Sequence, residues 1–254
     1  MKTSNQLLVL LILVAATVVT AEAQQKDVFA DPKNLKVLPK DIGSKELSET
    51  MKGFATGLGL RCESCHVGEP NTPLDTFDFA SDDKPMKQKA RLMLRMQNAI
   101  NDQHVASLNE IESGERVPVR CVTCHRGRPK PKLIEDELDE QLARSGAEAA
   151  VDVYKKLREQ FYGSHSYDFS EMSLPMYAQA LAARGELDAA VEFATINTAN
   201  FPGSYYSFFV LAELNAAMGQ TSAAIESYER AVELNPRAKP FLEGRIKALT
   251  ADND

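Results

Sequence analysis

Two stretches in the first half of the chain carry apolar residues at helical spacing. In the first, apolar residues recur every three or four positions, at Leu47, Met51, Phe54 and Leu58. This spacing predicts a helix over about residues 44–57. A second helix is predicted over about residues 84–102, with Pro85 in its first turn. No segment alternates convincingly as a strand does, so the pattern predicts an all-α fold, with irregular loops around residues 68–83 and 105–120.

The last third of the chain repeats with a period of 34 residues. Small residues and prolines recur at this offset: Gly185 and Gly219, Ala189 and Ala223, Ala190 and Ala224, Ala178 and Ala212, Pro202 and Pro236. Small residues let two helices cross closely, and a proline ends the second helix. The period and the pattern resemble tetratricopeptide repeats, with a diverged first helix pair beginning near Leu133. A plain helical bundle is the alternative.

The net charge changes sign near Lys132. Residues 24–132 carry 18 basic and 15 acidic side chains, a net of +3, whereas residues 133–254 carry 10 basic and 20 acidic side chains, a net of −10. The reversal supports a boundary there, with one domain over 24–132 and a tetratricopeptide-like helical domain over 133–254. An acidic tail repels phosphate, so nucleic acid is not an expected partner.

The N-terminus has the pattern of a secretory signal. Lys2 precedes an apolar run of 13 residues from Leu7 to Val19, and small residues follow at Ala21 and Ala23. The run is shorter than the roughly 20 residues that a spanning helix needs, which disfavours a retained membrane anchor. We therefore expect residues 1–23 to be a cleaved signal peptide. The mature protein is then periplasmic or otherwise exported, without a membrane span.

All four cysteines lie in two Cys-x-x-Cys-His units. The first comprises Cys62, Cys65 and His66, and the second comprises Cys121, Cys124 and His125. This motif is typical of covalent attachment of c-type haem. Its two thiols, one helical turn apart, add across the two vinyl groups of the haem, and the histidine ligates the iron. The sequence therefore predicts two covalently bound haem c groups.

Three other uses of cysteine are weaker alternatives. A zinc site could be built from cysteine and histidine ligands. A thioredoxin-like redox pair belongs in a βαβ context, which the pattern does not show. Disulfides are common in exported proteins, but here every cysteine belongs to a duplicated motif that also contains histidine.

A closed haem iron needs a second axial ligand, usually methionine or histidine. Met51 is the only methionine on the apolar face of the first predicted helix, eleven residues before Cys62. We favour it as the ligand of the first haem over a role in ordinary packing. For the second haem the next helix offers Met93 and Met96, and His104 follows near its end. Periodicity does not choose among these three.

Residues 37–131 resemble one dihaem unit of the photosynthetic reaction-centre cytochrome c subunit family. The shared features are the Met51 helix ahead of Arg-Cys-Glu-Ser-Cys-His-Val at 61–67, Phe-Ala-Ser-Asp at 79–82, Ala-Arg-Leu-Met at 90–93, Ile-Asn at 100–101 and Cys-Val-Thr-Cys-His-Arg-Gly at 121–127. The resemblance implies a small all-α multihaem cytochrome c domain whose helices supply axial methionines. It places Met51 on the first haem and Met93 on the second, with Met96 in a packing position.

The chain departs from that family in ways that bear on function. The family's subunit carries four haems and no tetratricopeptide tail, and it is often lipid-anchored, whereas this chain has two motifs and no anchor cysteine. We therefore predict the same cofactor chemistry: single-electron transfer between a redox protein donor and a redox protein acceptor. The helical repeats are expected to offer a docking surface for a protein partner.

Two other functions stay open on the sequence. The first is a dihaem peroxidase, which needs an open or displaceable sixth position at one iron. The second is a haem-based redox sensor that signals through the helical repeats. A basic cluster after the second motif has two interpretations, contact with haem propionates or a redox partner, or a solvated linker; its members are Arg126, Arg128, Lys130 and Lys132.

Overall fold

A computed structural model describes residues 27–108, 111 and 116–251. Within these ranges the chain forms ten α-helices and no β-strand, apart from one isolated antiparallel bridge between Val67 and Asp78. The prediction of an all-α fold is therefore confirmed. The helices are α1 (Ser44–Leu58), α2 (Pro85–Ala99), α3 (Cys121–His125), α4 (Ile134–Ser145), α5 (Ala147–Phe161), α6 (Ser173–Ala183), α7 (Leu187–Asn200), α8 (Tyr205–Ala217), α9 (Thr221–Leu234) and α10 (Lys239–Ala251).

Both helices predicted in the first half are present. Helix α1 covers the predicted stretch, and α2 begins at Pro85 as expected, since proline suits a first turn that needs no N–H donor. Helix α2 does not end at Ala99 but continues into a π-helical turn, Ile100–Val105. π-Helical turns are rare in proteins, and many of those that do occur lie at functional sites.

The described chain divides into two compact units. One comprises residues up to Lys52 together with Arg61–Met96, and the other comprises Gly53–Leu60 together with the chain from Gln97 onward. The first unit contains the first Cys-x-x-Cys-His segment and the second unit contains the other.

The repeated part of the second unit forms helical hairpins, as the period predicts. The first helix of each pair ends at a glycine with positive φ, a conformation that glycine adopts without strain; these are Gly146 (86°), Gly185 (84°) and Gly219 (70°). Six alanines in these hairpins are fully buried, so small size at these positions permits close helix packing: Ala150, Ala178, Ala190, Ala212, Ala224 and Ala231. Pro202 and Pro236 follow the ends of α7 and α9.

Most of the buried apolar residues lie in these hairpins. Phe193 in α7 is fully buried, with its ring centroid 5.1 Å from that of Tyr177 and 6.5 Å from that of Tyr154. Before Ile134, by contrast, Ile42 and Leu47 are the buried apolar side chains of the described residues. The chain around the two cysteine motifs therefore has little apolar core of its own.

No helix in the described ranges is long and apolar enough to span a bilayer. The predicted signal peptide, residues 1–23, lies outside the described residues.

Candidate functional site

The first motif folds as a single helical turn. Residues Cys62–Ser64 form a 3-10 turn, and the backbone N–H groups of Cys65 and His66 both donate to the carbonyl of Cys62, at 3.2 and 2.9 Å. Cys62 is exposed and Cys65 is half-buried. Burial, followed by the neighbouring Cys62, raises the pKa of the Cys65 thiol. The turn thus presents two thiols and an imidazole from one short segment.

The second motif forms helix α3. Arg120 precedes it, and the two ends of the first turn are linked because Arg120 N–H donates to the Thr123 hydroxyl at 3.0 Å while Thr123 N–H donates to the Arg120 carbonyl at 2.9 Å. The helix ends at Arg126, which has a left-handed φ of 50°. Cys121 is half-buried, Cys124 is exposed, and all four cysteines of the chain are free thiols.

Aromatic rings pack behind the first histidine. The edge of Phe79 lies against the His66 ring, with centroids 4.9 Å apart, and Phe77 stacks on Phe79 at 5.6 Å. Gly68 makes this packing feasible, because a Cβ atom there would lie 2.4 Å from the Phe77 ring. The Asp78 N–H donates to the Val67 carbonyl at 2.8 Å and closes the loop that holds the rings in place.

His66 is half-buried and lies in an electropositive environment. Its Nδ1 atom is buried without a hydrogen-bond partner of normal geometry among the described residues. Burial, followed by the positive charge of Lys87, lowers the pKa of His66, and the backbone of Phe79 acts in the opposite direction. Both dominant effects favour the neutral imidazole, which is the form that ligates a metal.

A polar network fixes the loop that carries Phe79. Lys87, from α2, is buried, and its ammonium group donates to the carbonyls of Phe79, Ala80 and Ser81 at 2.9, 3.1 and 2.6 Å. Asp82 accepts from several groups at once; its partners are Lys36 at 2.6 Å, Arg91 at 2.7 Å, Asn34 at 2.9 Å and Lys87 at 3.2 Å. The hydrogen bond from Lys36, together with those from the other three groups, holds the pKa of Asp82 far below its usual range.

His125 has a well-defined hydrogen-bond partner. Its Nδ1 lies 2.8 Å from the carbonyl oxygen of Arg128, and because a carbonyl only accepts, Nδ1 carries the proton and Nε2 is the free donor atom for a metal. Such a bond orients a ligating histidine and makes it more basic.

The side chain of Arg128 holds the same loop in place. Its guanidinium pairs with Glu137 at 2.9 Å and lies over the rings of Phe161 and Tyr167, 5.2 and 4.4 Å from their centroids. Lys132 also pairs with Glu137, at 3.5 Å. Two members of the basic cluster after the second motif are therefore engaged within the fold.

Glycines let the end of α1 pack against the second motif, which the sequence did not reveal. A Cβ atom on Gly57 would lie 3.1 Å from the Val122 nitrogen, and one on Gly59 would lie 2.1 Å from the Gly127 oxygen. The Gly127 N–H also donates to the Gly57 carbonyl at 3.0 Å. Gly57 and Gly59 had indicated only a helix end, because nothing local in the sequence marks a contact across about 65 residues.

Two amides also attach the C-terminal end of the second predicted helix to the second motif. Gln97 Oε1 accepts from the Cys121 thiol at 3.2 Å, and burial raises the pKa of that thiol. Asn101, in the π-helical turn, both donates to the carbonyl of Val119 and accepts from its N–H, each at 2.8 Å. The Ile-Asn pair at 100–101 pointed to Asn101 through the family resemblance, but nothing pointed to Gln97.

A cavity of about 360 Å³ adjoins the second motif within the same unit. Residues from α3, from the chain after it and from the start of α4 line it, together with a loop before α6; among them are Cys124, His125, Lys132, Ile134, Glu135 and Tyr167.

The methionines predicted as axial ligands are on the helices, but their sulfur atoms are not distinguished by burial. Met51 is half-buried on α1, in the same compact unit as the first motif. On α2, Met93 and Met96 are 40% and 49% exposed. His104 is exposed in the π-helical turn. The choice of Met93 over Met96 and His104 therefore stays a prediction.

The residues present fit haem c. Each motif presents two free thiols from one helical turn and a histidine directly after them, and the apolar side chain of Val122, within the second motif, is 40% exposed. A bound macrocycle would cover such surface. Within the described ranges no three His, Cys, Asp or Glu side chains form a cluster suited to a metal ion alone.

Comparison with known proteins agrees with the thiols and histidines found in the two motifs. Residues 9–191 of the 254-residue chain match the family model described as the photosynthetic reaction centre cytochrome C subunit. The match extends beyond the second motif into α7.

Two curated relatives share part of this sequence. Cytochrome c-554 of Chloroflexus aurantiacus is 30% identical over 89 residues, which are 35% of this chain and 19% of that protein. The photosynthetic reaction center cytochrome c subunit of Thermochromatium tepidum is 34% identical over 101 residues, 39% of this chain and 21% of that protein. The chain thus spans about a fifth of the length of these relatives.

Proposed function

This chain belongs to the photosynthetic reaction centre cytochrome C subunit family, and from that premise we propose that it is an exported dihaem c-type cytochrome that passes single electrons between redox proteins. Membership itself implies covalently bound haem c and an electron-carrier role. The observation that carries the finer proposal is the presence of two complete attachment motifs, each on a helical turn with both thiols free. The matched part is a small fraction of the relatives, so the proposal extends to cofactor chemistry and not to a photosynthetic partner.

The attachment residues have defined roles in this proposal. Cys62 and Cys65 form the thioethers of the first haem, and Cys121 and Cys124 form those of the second. His66 and His125 supply the first axial ligand of each iron. When bound, haem supplies reversible one-electron chemistry, while the packed chain around each histidine holds the ligand in place, by the Phe79 ring at His66 and by the Arg128 carbonyl at His125.

Methionine sulfur is the proposed second ligand on both sides. We assign Met51 to the first haem because it is the only methionine on the apolar face of α1, eleven residues before Cys62. We assign Met93 to the second haem from the family resemblance. Methionine opposite histidine raises the reduction potential, which suits an electron carrier, and it closes the position at which peroxide would bind.

Replacing either methionine with alanine should remove its sulfur–iron bond. The oxidised protein should show the sulfur-to-iron charge-transfer band at the red end of its optical spectrum. We expect Met51→Ala and Met93→Ala each to lower that band by about half, since each of two equivalent bonds contributes, and the double variant to abolish it.

Met96→Ala is the matched control for this experiment. It removes a similarly exposed methionine from the same helix and should leave the band unchanged. Loss of the band in Met96→Ala with retention in Met93→Ala would show that the assignment on α2 is wrong.

We further propose that residues 133–254 form a tetratricopeptide-like domain that docks a redox protein, with a boundary near Lys132. The helical hairpins with glycine at their turns support this, as does the net charge of −10 over these residues. A negative surface attracts a basic partner over about a Debye length, roughly 10 Å at 0.1 M salt. Export to the periplasm remains part of the proposal on the strength of the N-terminal sequence pattern.

A further inference from the structure

Lys87 is a buried lysine with no role in the attachment motif. It is 9% exposed, and its ammonium group is held by three backbone carbonyls and by Asp82. A buried ammonium group is costly unless it is hydrogen-bonded, and four acceptors at one amine meet that requirement while keeping its position fixed. The fold thus maintains a positive charge at a defined point inside the first unit.

Asp82 does not cancel this charge. The same carboxylate is shared among three cations, since Lys36 and Arg91 bind it at 2.6 and 2.7 Å, closer than Lys87 at 3.2 Å. Three positive groups around one negative group leave a net positive charge. Burial weakens the screening by water that would otherwise reduce its reach.

A single residue, Phe79, connects the Lys87 ammonium group to the first histidine. Lys87 donates to the carbonyl of Phe79, and the ring of the same Phe79 lies against His66. The Nδ1 atom of His66 is buried without a hydrogen-bond partner of normal geometry among the described residues.

Resting on the proposed function, we propose that the buried ammonium group of Lys87 raises the reduction potential of the haem attached at Cys62 and Cys65. A fixed positive charge disfavours the more positive Fe(III) state, and a histidine without a strong Nδ1 hydrogen bond is a weaker donor to it. The histidine of the second motif differs, because His125 Nδ1 donates to the Arg128 carbonyl at 2.8 Å. Lys87 therefore makes the first haem easier to reduce.

The test is a potentiometric titration of the full-length, haem-loaded chain carrying Lys87→Gln, which removes the charge and keeps N–H donors for the carbonyls. We expect the midpoint potential of the first haem to fall by about 59 mV. For a one-electron couple this is a tenfold change in the Fe(II)/Fe(III) ratio at a fixed applied potential. The second midpoint should shift by less than the first. The full chain with Cys121→Ala and Cys124→Ala identifies which midpoint belongs to the first haem.

Two control variants separate charge from structure. Lys36→Gln removes another cation from Asp82, but its side chain is 49% exposed, so the first midpoint should hold. Lys87→Arg keeps the charge and should also retain the wild-type midpoint. If Lys87→Gln does not fold, Arg91→Gln must lower the same midpoint by a smaller amount.

The inference is overturned if the first midpoint is unchanged in a folded Lys87→Gln protein. Where Lys87→Gln does not fold, an unchanged first midpoint in Arg91→Gln overturns it. An equal shift of both midpoints also overturns it. These outcomes leave two reversible couples intact and so spare the proposed function. Absence of two reversible couples in the wild-type protein contradicts the proposed function itself.

Discussion

Replacing Cys121 and Cys124 together with alanine is expected to reduce the covalently bound haem from two groups per chain to one. Thioether bonds form only at the cysteine sulfurs, and the two motifs supply all four cysteines of the chain. The first motif is a separate helical turn with its own hydrogen bonds from Cys65 and His66 to the Cys62 carbonyl, so it should still be loaded. The loss is complete at one site because no other thiol can substitute.

The measurement is a pyridine haemochrome assay per mole of full-length protein, after acid–acetone extraction has removed haem that is not covalently attached. The reciprocal variant, Cys62→Ala with Cys65→Ala, is the matched control and should also retain one haem. Two covalent haems remaining in either double variant would contradict the assignment of the motifs. So would a wild-type protein that carries bound zinc and no Soret absorbance.

Phe193→Ala should strongly destabilise the helical hairpins, lowering the free energy of unfolding by about 3–5 kcal/mol. The Phe193 ring is fully buried and packs edge-on against Tyr177 and Tyr154. Alanine would remove that contact and leave a cavity, because the surrounding helices relax only partly.

Urea unfolding followed by far-ultraviolet circular dichroism measures this change. Met176→Ala on α6 is the control, since its side chain is 60% exposed, and it should change the free energy of unfolding by no more than about 0.5 kcal/mol. A Phe193→Ala protein with the same midpoint as Met176→Ala would mean that α7 does not pack as described.

The helices and hairpins could be predicted because their causes are local in the sequence. The apolar spacing that includes Leu47 and Met51 predicts α1, and it needs no knowledge of the rest of the chain. Likewise Gly185 and Gly219 predict helix ends because a positive φ is required at each turn. The two attachment motifs are contiguous, so the grouping of thiols and histidine within each was also predictable.

The surroundings of the two histidines could not be predicted, because they are assembled from distant residues. Asn34 and Asp82 are 48 residues apart, and their hydrogen bond helps to hold the loop that places Phe79 on His66. Lys87 is an ordinary polar position in the pattern of α2, and only the folded chain shows that it is buried. Side-chain burial of a charge depends on which acceptors the loops supply, and periodicity carries no information about that.

The contacts of the basic cluster could not be predicted from the sequence either. Its charges suggested contact with propionates or a partner, or a solvated linker. In the structure Arg128 instead lies between Glu137 and two aromatic rings, all of which follow it in the chain. The π-helical turn after α2 was also absent from the prediction, since an extra residue in a helical turn leaves no mark on the apolar spacing.

The central claim is that both irons are closed and cycle one electron reversibly, and it separates a carrier from the peroxidase and sensor alternatives. The most direct measurement is a potentiometric titration of the wild-type full-length protein, followed by optical and electron paramagnetic resonance spectroscopy, with peroxide turnover assayed on the same sample. The account predicts two covalent haems, both six-coordinate and low-spin, that titrate reversibly and turn over peroxide poorly. A five-coordinate, high-spin haem with efficient peroxide turnover in the reduced protein would contradict the carrier account and favour the peroxidase.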